Sequence, residues 1–224
     1  MVIPVLQKIL AWSFSRYMDY HKCPALAKYK HVLKLKEPDN EAMAGGTLAH
    51  KQAEDYTTGK LKKLPERCKQ FPKEFAALRK AKALVEQQWA FNRKWEEVSW
   101  FAKDAWLRIK VDAHTLQGTK VHIVDHKTGK EHEPDHGWQR DLYALGALLK
   151  YLWATEVVAE HWYLDAGVAR GGDVVYTFKD LPRLKQEWVD RTANMLQDTR
   201  FAPCPGHYCK WCHFRRDNGG PCKF

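Results

Sequence analysis

The sequence predicts a mixed α/β fold, because helical patterns fill its first part and strand patterns then alternate with helical ones. Two paired strands are predicted between Trp100 and Lys127, where apolar and polar residues alternate on both sides of a break at 116–119. An amphipathic helix is predicted at about 137–153, with leucines at helical spacing. The expected architecture is therefore a central mixed sheet flanked by helices.

The remaining elements lie on either side of this region. A helix is predicted from Ser13 onward, with a break near Pro24, and the glycines of a second helix at 42–56 are expected to mark its start or a close backbone approach. A helical pattern after the lysine-rich stretch continues to about Val98. Two further strands and a last helix are expected at 157–164, 173–178 and 181–197.

Length and composition indicate one domain. The chain has 224 residues, of which 45% are hydrophobic and 29% charged, so a disordered, collagen-like or membrane-embedded protein is excluded. We expect a single domain of residues 1–224, with a helical N-terminal part at 13–98, a catalytic α/β core at 99–198 and a cysteine-rich, metal-binding C-terminal tail at 199–224.

The charge favours a polyanionic partner. The formal net charge is +10, and residues 60–82 carry nine basic and two acidic side chains, forming either a solvated helix face or an arm that contacts phosphates. The apolar stretch at about 142–153 is too short to cross a bilayer. Lys8 interrupts the N-terminal apolar run, so no secretory signal is expected and the predicted location is cytoplasmic.

The predicted hairpin carries two carboxylates and a lysine. If Gln117 and Gly118 form a two-residue turn, Asp112 and Asp125 share one face as diagonal neighbours, with backbones roughly 7–8 Å apart. Both carboxylates can then converge on one hard divalent cation, and Lys127 projects from the same face. The alternative for the same spacing is a surface salt-bridge cluster.

These residues resemble a known family. Asp112, followed by Asp125-His126-Lys127 in the next strand, resembles the signature of the PD-(D/E)XK nucleases, and in particular their RecB-like branch, which includes CRISPR-associated exonucleases. Gly46 to His50 resembles the Gly-x-x-x-His motif of that branch, and Gln139 to Tyr143 resembles its Gln-x-x-x-Tyr motif. The resemblance implies a restriction-endonuclease-like core.

The resemblance also implies a role for each motif residue. His50, Asp112 and Asp125 would bind Mg²⁺ or Mn²⁺, together with the backbone carbonyl of His126, whose side chain is expected on the opposite sheet face. Lys127 would orient or help deprotonate the attacking water. One helical turn separates Gln139 from Tyr143, and the pair would position the lysine or contact DNA; ordinary packing is the alternative.

Five of the six cysteines lie at positions that suggest a second metal site. In many RecB-like nucleases an early cysteine and three late ones bind a 4Fe-4S cluster, and the matching residues here are Cys23, Cys209, Cys212 and Cys222. A local Zn²⁺ site that includes Cys204, and optionally His207 or His213, is a rival, as is a set of metal-free thiols. Cys68 is expected to have no metal role.

The combined expectation is a Mg²⁺- or Mn²⁺-dependent deoxyribonuclease, an exonuclease acting on single-stranded or duplex DNA ends in recombination, repair or phage DNA metabolism. Two alternatives remain at this stage. One is a structure-specific or nicking endonuclease, and the other is a non-catalytic, zinc-containing nucleic-acid-binding module. DNA is the expected partner, and no membrane association is expected.

Overall fold

The computed structural model describes residues 8–38, 41–131 and 135–224. It contains two compact units, one formed by residues 40–186 and the other by residues 1–39 together with 187–224. In the described part of the chain, none of the helices combines the length and the apolar character needed to cross a membrane.

The described residues contain six α-helices and seven strands. The helices are α1 (Phe14–Lys22), α2 (Pro24–Ala27), α3 (Glu41–Thr57), α4 (Pro72–Lys80), α5 (Asp135–Lys150) and α6 (Leu181–Gln197). The strands are β1 (Leu84–Phe91), β2 (Glu97–Val98), β3 (Leu107–Gln117), β4 (Lys120–Lys127), β5 (Glu156–Tyr163), β6 (Val168–Arg170) and β7 (Val175–Tyr176).

The strands form one mixed sheet in the larger unit. Their order is β2-β1-β3-β4-β5-β6, and β7 pairs with β5. Only β4 and β5 run parallel among the described pairs, and the crossover that a parallel pair requires is provided by α5. The predicted mixed sheet with flanking helices is therefore confirmed.

Helices pack on both faces of this sheet. On one face, α5 approaches so closely that a Cβ added at Gly146 would lie 2.6 Å from Cδ1 of Ile109 on β3. On the other face, Ala53 of α3 and Phe75 of α4 belong to an apolar cluster with Val124 of β4. Burial of both sheet faces fixes which strand side chains can reach each helix.

The expected helix up to Val98 is wrong after α4. Lys82 has a positive φ of 51°, which breaks the helix, and the following residues form β1 and pair with β3. Pairing buries Trp89 and Phe91 to 1% and 0% exposure. This burial outweighs the helical propensity of the glutamate and glutamines in the segment, since propensity is weaker than tertiary packing.

The predicted β3–β4 hairpin is present, but its register differs by two residues. Gln117 pairs with Lys120, so Gly118 and Thr119 form the loop. Gly118 has a φ of 59°, which suits the first loop position of a type II′ turn. His114, rather than Asp112, is therefore opposite Ile123. Because the pairing is shifted by two residues, each side chain stays on its predicted sheet face wherever the ladder is regular.

The two glycines of α3 lie inside the helix, so the expectation that they mark its start is wrong. The alternative expectation of a close approach is supported, because a Cβ at Gly46 would lie 3.3 Å from Oγ1 of Thr128, just beyond β4. The short strand β6 was not expected from the sequence.

The smaller unit contains α1, α2 and the tail. The Ser13 hydroxyl accepts a hydrogen bond from the Arg16 amide at 3.5 Å, and α1 ends before Cys23, as Pro24 predicts. Trp12 stacks on Trp188 at 5.2 Å between ring centroids, which joins the two chain segments of this unit.

Candidate active site

Asp112 lies at a break in the sheet. The β1–β3 ladder pairs Val85 with Ala113 and Gln87 with Val111 but omits Asp112 and the residue opposite it, Glu86, which has a positive φ of 53°. Positive φ is unusual for a residue other than glycine and is often found near functional sites. The break releases Asp112 from the regular alternation of side chains.

The Asp112 carboxylate contacts both α3 and β4. Its Oδ2 lies 3.0 Å from Nδ1 of His50 and accepts a hydrogen bond from the backbone amide of His126 at 2.8 Å. Burial disfavours the charged form of His50, but the hydrogen bond and charge of Asp112 outweigh this effect and raise the pKa of the imidazole above its usual value.

His50, Asp112 and His126 form the one group of at least three candidate metal ligands found among the described residues. Their ligand atoms all lie within 4.8 Å of one another. The His126 ring lies on the sheet face opposite the α5 contacts of Asp125, as expected. Its Nδ1 is nevertheless 3.8 Å from Asp112 Oδ2, so the expectation that Asp112 shares the face of Asp125 is wrong. The reason is the sheet break, which directs Asp112 toward α3, where the His126 ring stacks on Phe75.

Asp125 lies outside this group and belongs to a closed ring of four side chains. Lys127 Nζ lies 2.7 Å from Asp125 Oδ2 and donates a hydrogen bond to Gln139 Oε1 at 2.7 Å. Gln139 Nε2 donates to the Tyr143 hydroxyl at 2.8 Å, and that hydroxyl donates to Asp125 Oδ1. The structure thus brings the Asp125-His126-Lys127 motif of β4 into direct contact with the Gln139 and Tyr143 motif of α5.

The protonation states in the ring follow from burial and charge. Burial raises the pKa of Asp125, but the charge and hydrogen bond of Lys127, aided by Tyr143, outweigh it and hold that pKa below its usual range. Burial and the negative charge of Asp125 raise the pKa of Tyr143 well above its ordinary value. Asp125 is therefore ionised, and the tyrosine remains a hydrogen-bond donor.

His161 is a contact of Asp125 that sequence reasoning missed. It lies opposite Asp125 in the parallel β4–β5 ladder, and its Nε2 is 3.5 Å from Asp125 Oδ2. Burial lowers the pKa of His161 to about 3, and Arg140 Nη1 lies 3.2 Å from its Nδ1. The neutral ring therefore accepts from Arg140 at Nδ1 and carries its proton on Nε2, toward Asp125. No local motif marks this residue; only strand register reveals it.

The cysteines predicted as ligands converge in the smaller unit. Cys23, Cys209, Cys212 and Cys222, together with Cys204, line a cavity of about 230 Å³. Burial raises the pKa of Cys212, and the neighbouring thiols of Cys222, Cys23 and Cys209 raise it further, which places these four groups within electrostatic reach of one another.

Two backbone amides point at these sulfurs. The amide of Cys204 donates to Cys23 Sγ at 3.3 Å, and that of Gly206 donates to Cys209 Sγ at 3.3 Å. In the described residues, no three thiols lie within 4.8 Å of one another. Cys68 is separate, within the apolar cluster of the larger unit, where burial raises its pKa to about 11.

Comparison with known proteins identifies the family. A model of the PD-(D/E)XK nuclease superfamily matches residues 11–111 and 108–216. The chain belongs to the PD-(D/E)XK nuclease superfamily. Asp112, Asp125 and Lys127 lie within the second matched range, and the chain is accordingly a nuclease. A search of curated proteins gives no match.

Solved structures support the fold of this nuclease. A protein from Eubacterium rectale, provisionally named an exonuclease, is 12% identical with a TM-score of 0.50; the match covers 93% of this chain and 88% of that one. The protein SSO0001 is 15% identical with a TM-score of 0.50, and the match covers 92% and 84% of the two chains. At these identities the likeness concerns the fold, and it confirms the restriction-endonuclease-like core.

Proposed function

We propose that this nuclease is a metal-dependent deoxyribonuclease that hydrolyses phosphodiester bonds at DNA ends. The observation that carries the proposal is the hydrogen-bonded ring of Asp125, Lys127, Gln139 and Tyr143, located in the same unit as the His50–Asp112 pair. A charged lysine held between a carboxylate and an amide is suited to a reaction in which negative charge develops on a phosphoryl group.

The donor set fits a divalent cation. Asp112 and Asp125 provide carboxylate oxygens, His50 provides an imidazole, and we include the backbone carbonyl of His126 as a further ligand. The proximity of His50 to Asp112, at 3.0 Å, shows that two of these groups already face each other. When bound, Mg²⁺ or Mn²⁺ would neutralise phosphate charge and lower the pKa of a bound water.

The position of the His126 ring suggests a preference between these cations. Its Nε2 is buried and has no hydrogen-bond partner among the residues that the structure describes, and the ring lies beside both His50 and Asp112. Imidazole ligands suit transition metals, whereas Mg²⁺ prefers oxygen ligands. If this ring contributes in addition to His50, the site will favour Mn²⁺ over Mg²⁺.

Lys127 acts on the substrate or the water, and Gln139 and Tyr143 position Lys127 and Asp125. Lys127 donates hydrogen bonds to a phosphoryl oxygen or orients the attacking water. Gln139 accepts from Lys127 and so fixes the direction of its ammonium group, while Tyr143 orients the Asp125 carboxylate. Both residues lie on one face of α5 because they are one helical turn apart.

DNA ends are the proposed substrate for two reasons. The chain carries a net charge of +10, which favours a polyanion. The motifs resemble the RecB-like branch, and a structural relative of the same fold is provisionally named an exonuclease. Recombination, repair and phage DNA metabolism all generate DNA ends, and we place the activity among these processes.

End-dependence is tested with one sequence in two forms. A covalently closed circular DNA and its linearised form are incubated with the protein and Mg²⁺ or Mn²⁺, with EDTA as the control. The proposal expects degradation of the linear form from its ends while the circle stays intact. Cleavage of the circle at a comparable rate would instead identify a structure-specific or nicking endonuclease.

For the smaller unit, we propose that Cys23, Cys209, Cys212 and Cys222 bind a 4Fe-4S cluster. Four sulfurs bound to one Zn²⁺ at about 2.3 Å lie about 3.8 Å apart, whereas no three thiols of the described residues lie within 4.8 Å of one another, which favours a larger core. The amide hydrogen bonds to Cys23 and Cys209 resemble those that tune such clusters. Cys204 then contributes its backbone amide rather than its thiol.

The cluster is tested by metal and sulfide analysis of anaerobically purified protein. The proposal expects about four irons and four sulfides per chain, with a brown colour. One zinc per chain and no sulfide would instead support the zinc site that includes Cys204.

A further inference from the structure

We propose that a single DNA strand runs from the active site along one face of β3 to an aromatic loop at residues 92–106. The path is formed by Lys110, Arg108, Trp100 and Phe101. The inference rests on the proposed action on DNA and adds to it a surface that selects single-stranded over duplex DNA.

The first step of the argument is the sheet face on which the path lies. Ile109 faces α5, because its Cδ1 would lie 2.6 Å from a Cβ at Gly146. Since strand side chains alternate, Lys110 and Arg108 project from the opposite face, toward α3. The same face holds His50, so the path and the candidate metal ligand lie on one side of the sheet.

The near end of the path opens at the candidate metal site. Lys110 lines a cavity of about 350 Å³ together with His50, Gly46 and Thr47. The two glutamates of this cavity already have cationic partners: Glu86 pairs with Lys110, and Glu54 with Lys51 at 3.0 Å. The cavity therefore joins the metal ligand His50 to a lysine that can contact the next phosphate along the strand.

The far end of the path is an exposed aromatic surface. Arg108 Nε donates to the Trp100 carbonyl at 2.9 Å, and its guanidinium carbon lies 5.8 Å from the Trp100 ring centroid. The next residue, Phe101, is 87% exposed. Arg108 lies four positions before Asp112 in β3, a distance of about 14 Å along the strand.

The loop that presents Phe101 is held by its own contacts. Trp95 meets Trp106 edge to face at 5.2 Å, Arg93 covers Trp106 at 5.6 Å, and Lys185 lies 5.8 Å from the Trp95 ring centroid. These rings are occupied by protein neighbours. Phe101 is instead presented to solvent on an anchored loop, which lowers the entropic cost of binding a flat ligand.

Single-stranded DNA fits this chemistry. Two cations are followed by two aromatic rings along the path, and cations combined with aromatic rings bind a single strand through its phosphates and the faces of its bases. In a duplex those faces are stacked on neighbouring base pairs and cannot meet Phe101. The ring of Phe101 therefore discriminates between the two forms of DNA, whereas Lys110 and Arg108 attract both.

The test measures binding without cleavage. The dissociation constant of a fluorescent single-stranded oligothymidylate is determined by anisotropy in EDTA for the wild type and three variants. Phe101→Ala is expected to weaken binding roughly tenfold. Phe101→Trp, which keeps a stacking ring, is expected to restore it. The matched control is Trp153→Ala, which removes a 47% exposed ring beyond the end of α5 and is expected to bind like the wild type.

Three outcomes would overturn the strand path: wild-type affinity in Phe101→Ala, an equal loss in Trp153→Ala, or an equal loss in Phe101→Ala for duplex DNA. None of these depends on metal or turnover. Failure of the proposed nuclease function would appear elsewhere, as a wild type that leaves linear DNA intact in Mg²⁺ and Mn²⁺, so the two failures are distinguishable.

Discussion

The two groups of motif residues are built in different ways. In the larger unit, Asp125 and Lys127 contact each other and the side chains of α5 directly, with Lys127 Nζ at 2.7 Å from both Asp125 and Gln139. In the smaller unit, the thiols surround a cavity of about 230 Å³, and no three thiols of the described residues lie within 4.8 Å of one another. The first group is thus held by direct contacts between its side chains, whereas the second lines a cavity in which we propose that a cofactor binds.

The sharpest test of the group in the larger unit is Lys127→Met. Because the lysine charge is positioned by Asp125 and Gln139, its loss is expected to lower the single-turnover cleavage rate about 10²- to 10³-fold with little change in DNA affinity. The control is Lys120→Met, which removes an exposed lysine at the other end of β4 that pairs only with Glu156 among the described ion pairs. A similar loss in both variants would contradict a specific role for Lys127.

The cysteine group is tested by Cys212→Ser and Cys204→Ser. If the cluster joins the thiols, Cys212→Ser will lose iron and lower the melting temperature by roughly 5 °C or more, because a ligand that binds only the folded state stabilises it. Cys204→Ser keeps its backbone amide and is expected to retain iron. Loss of metal from Cys204→Ser, measured by elemental analysis, would favour the zinc alternative.

The conformation of the tail gives a third test. A Cβ at Gly220 would lie 2.3 Å from the backbone of Phe214, whereas one at Gly206 would have no atom of the described residues within 4 Å. Gly220→Ala is therefore expected to destabilise the cysteine-bearing unit by about 1–3 kcal/mol, and Gly206→Ala is not. Chemical denaturation monitored by tryptophan fluorescence measures both, and equal stability of the two variants would contradict the tail conformation.

The smallest effect is expected for Tyr143→Phe. The variant loses one donor to Asp125 but leaves the carboxylate paired with Lys127, so a decrease in cleavage rate of about tenfold is expected. Tyr151→Phe provides the control, because the Tyr151 hydroxyl forms a hydrogen bond with His114 and takes no part in the hydrogen-bonded ring of Asp125 and Lys127. If Tyr143→Phe cleaves as fast as Tyr151→Phe, the tyrosine only packs against the sheet.

The parts of the fold that the sequence predicts are those set by local patterns. The leucine spacing of α5 and the alternation in β3 and β4 lead directly to the observed elements. The strand β1 was not predicted, because its residues are helix formers and only pairing with β3 makes them extended. The hairpin register was also missed, since it depends on which loop position takes the positive φ of Gly118.

The candidate site also contains residues that the sequence predicts and contacts that depend on strand pairing. His50, Gln139 and Tyr143 are expected from the resemblance of their motifs to the family, and they lie on α3 and α5. The proximity of the His126 ring to Asp112 and the contact of His161 with Asp125 could not be predicted. The first depends on a break in the ladder at Asp112, and the second on the parallel register of β4 and β5. Neither leaves a local pattern in the sequence.

The central claim is that the ionised carboxylate of Asp125, held beside Lys127, is required for hydrolysis. The most direct measurement is single-turnover cleavage of end-labelled linear DNA in Mn²⁺ and in Mg²⁺ by the wild type and Asp125→Asn, with folding of the variant verified by circular dichroism. The account predicts that the wild type releases the label and that the folded variant remains at the background rate. Label release by Asp125→Asn at the wild-type rate would contradict it.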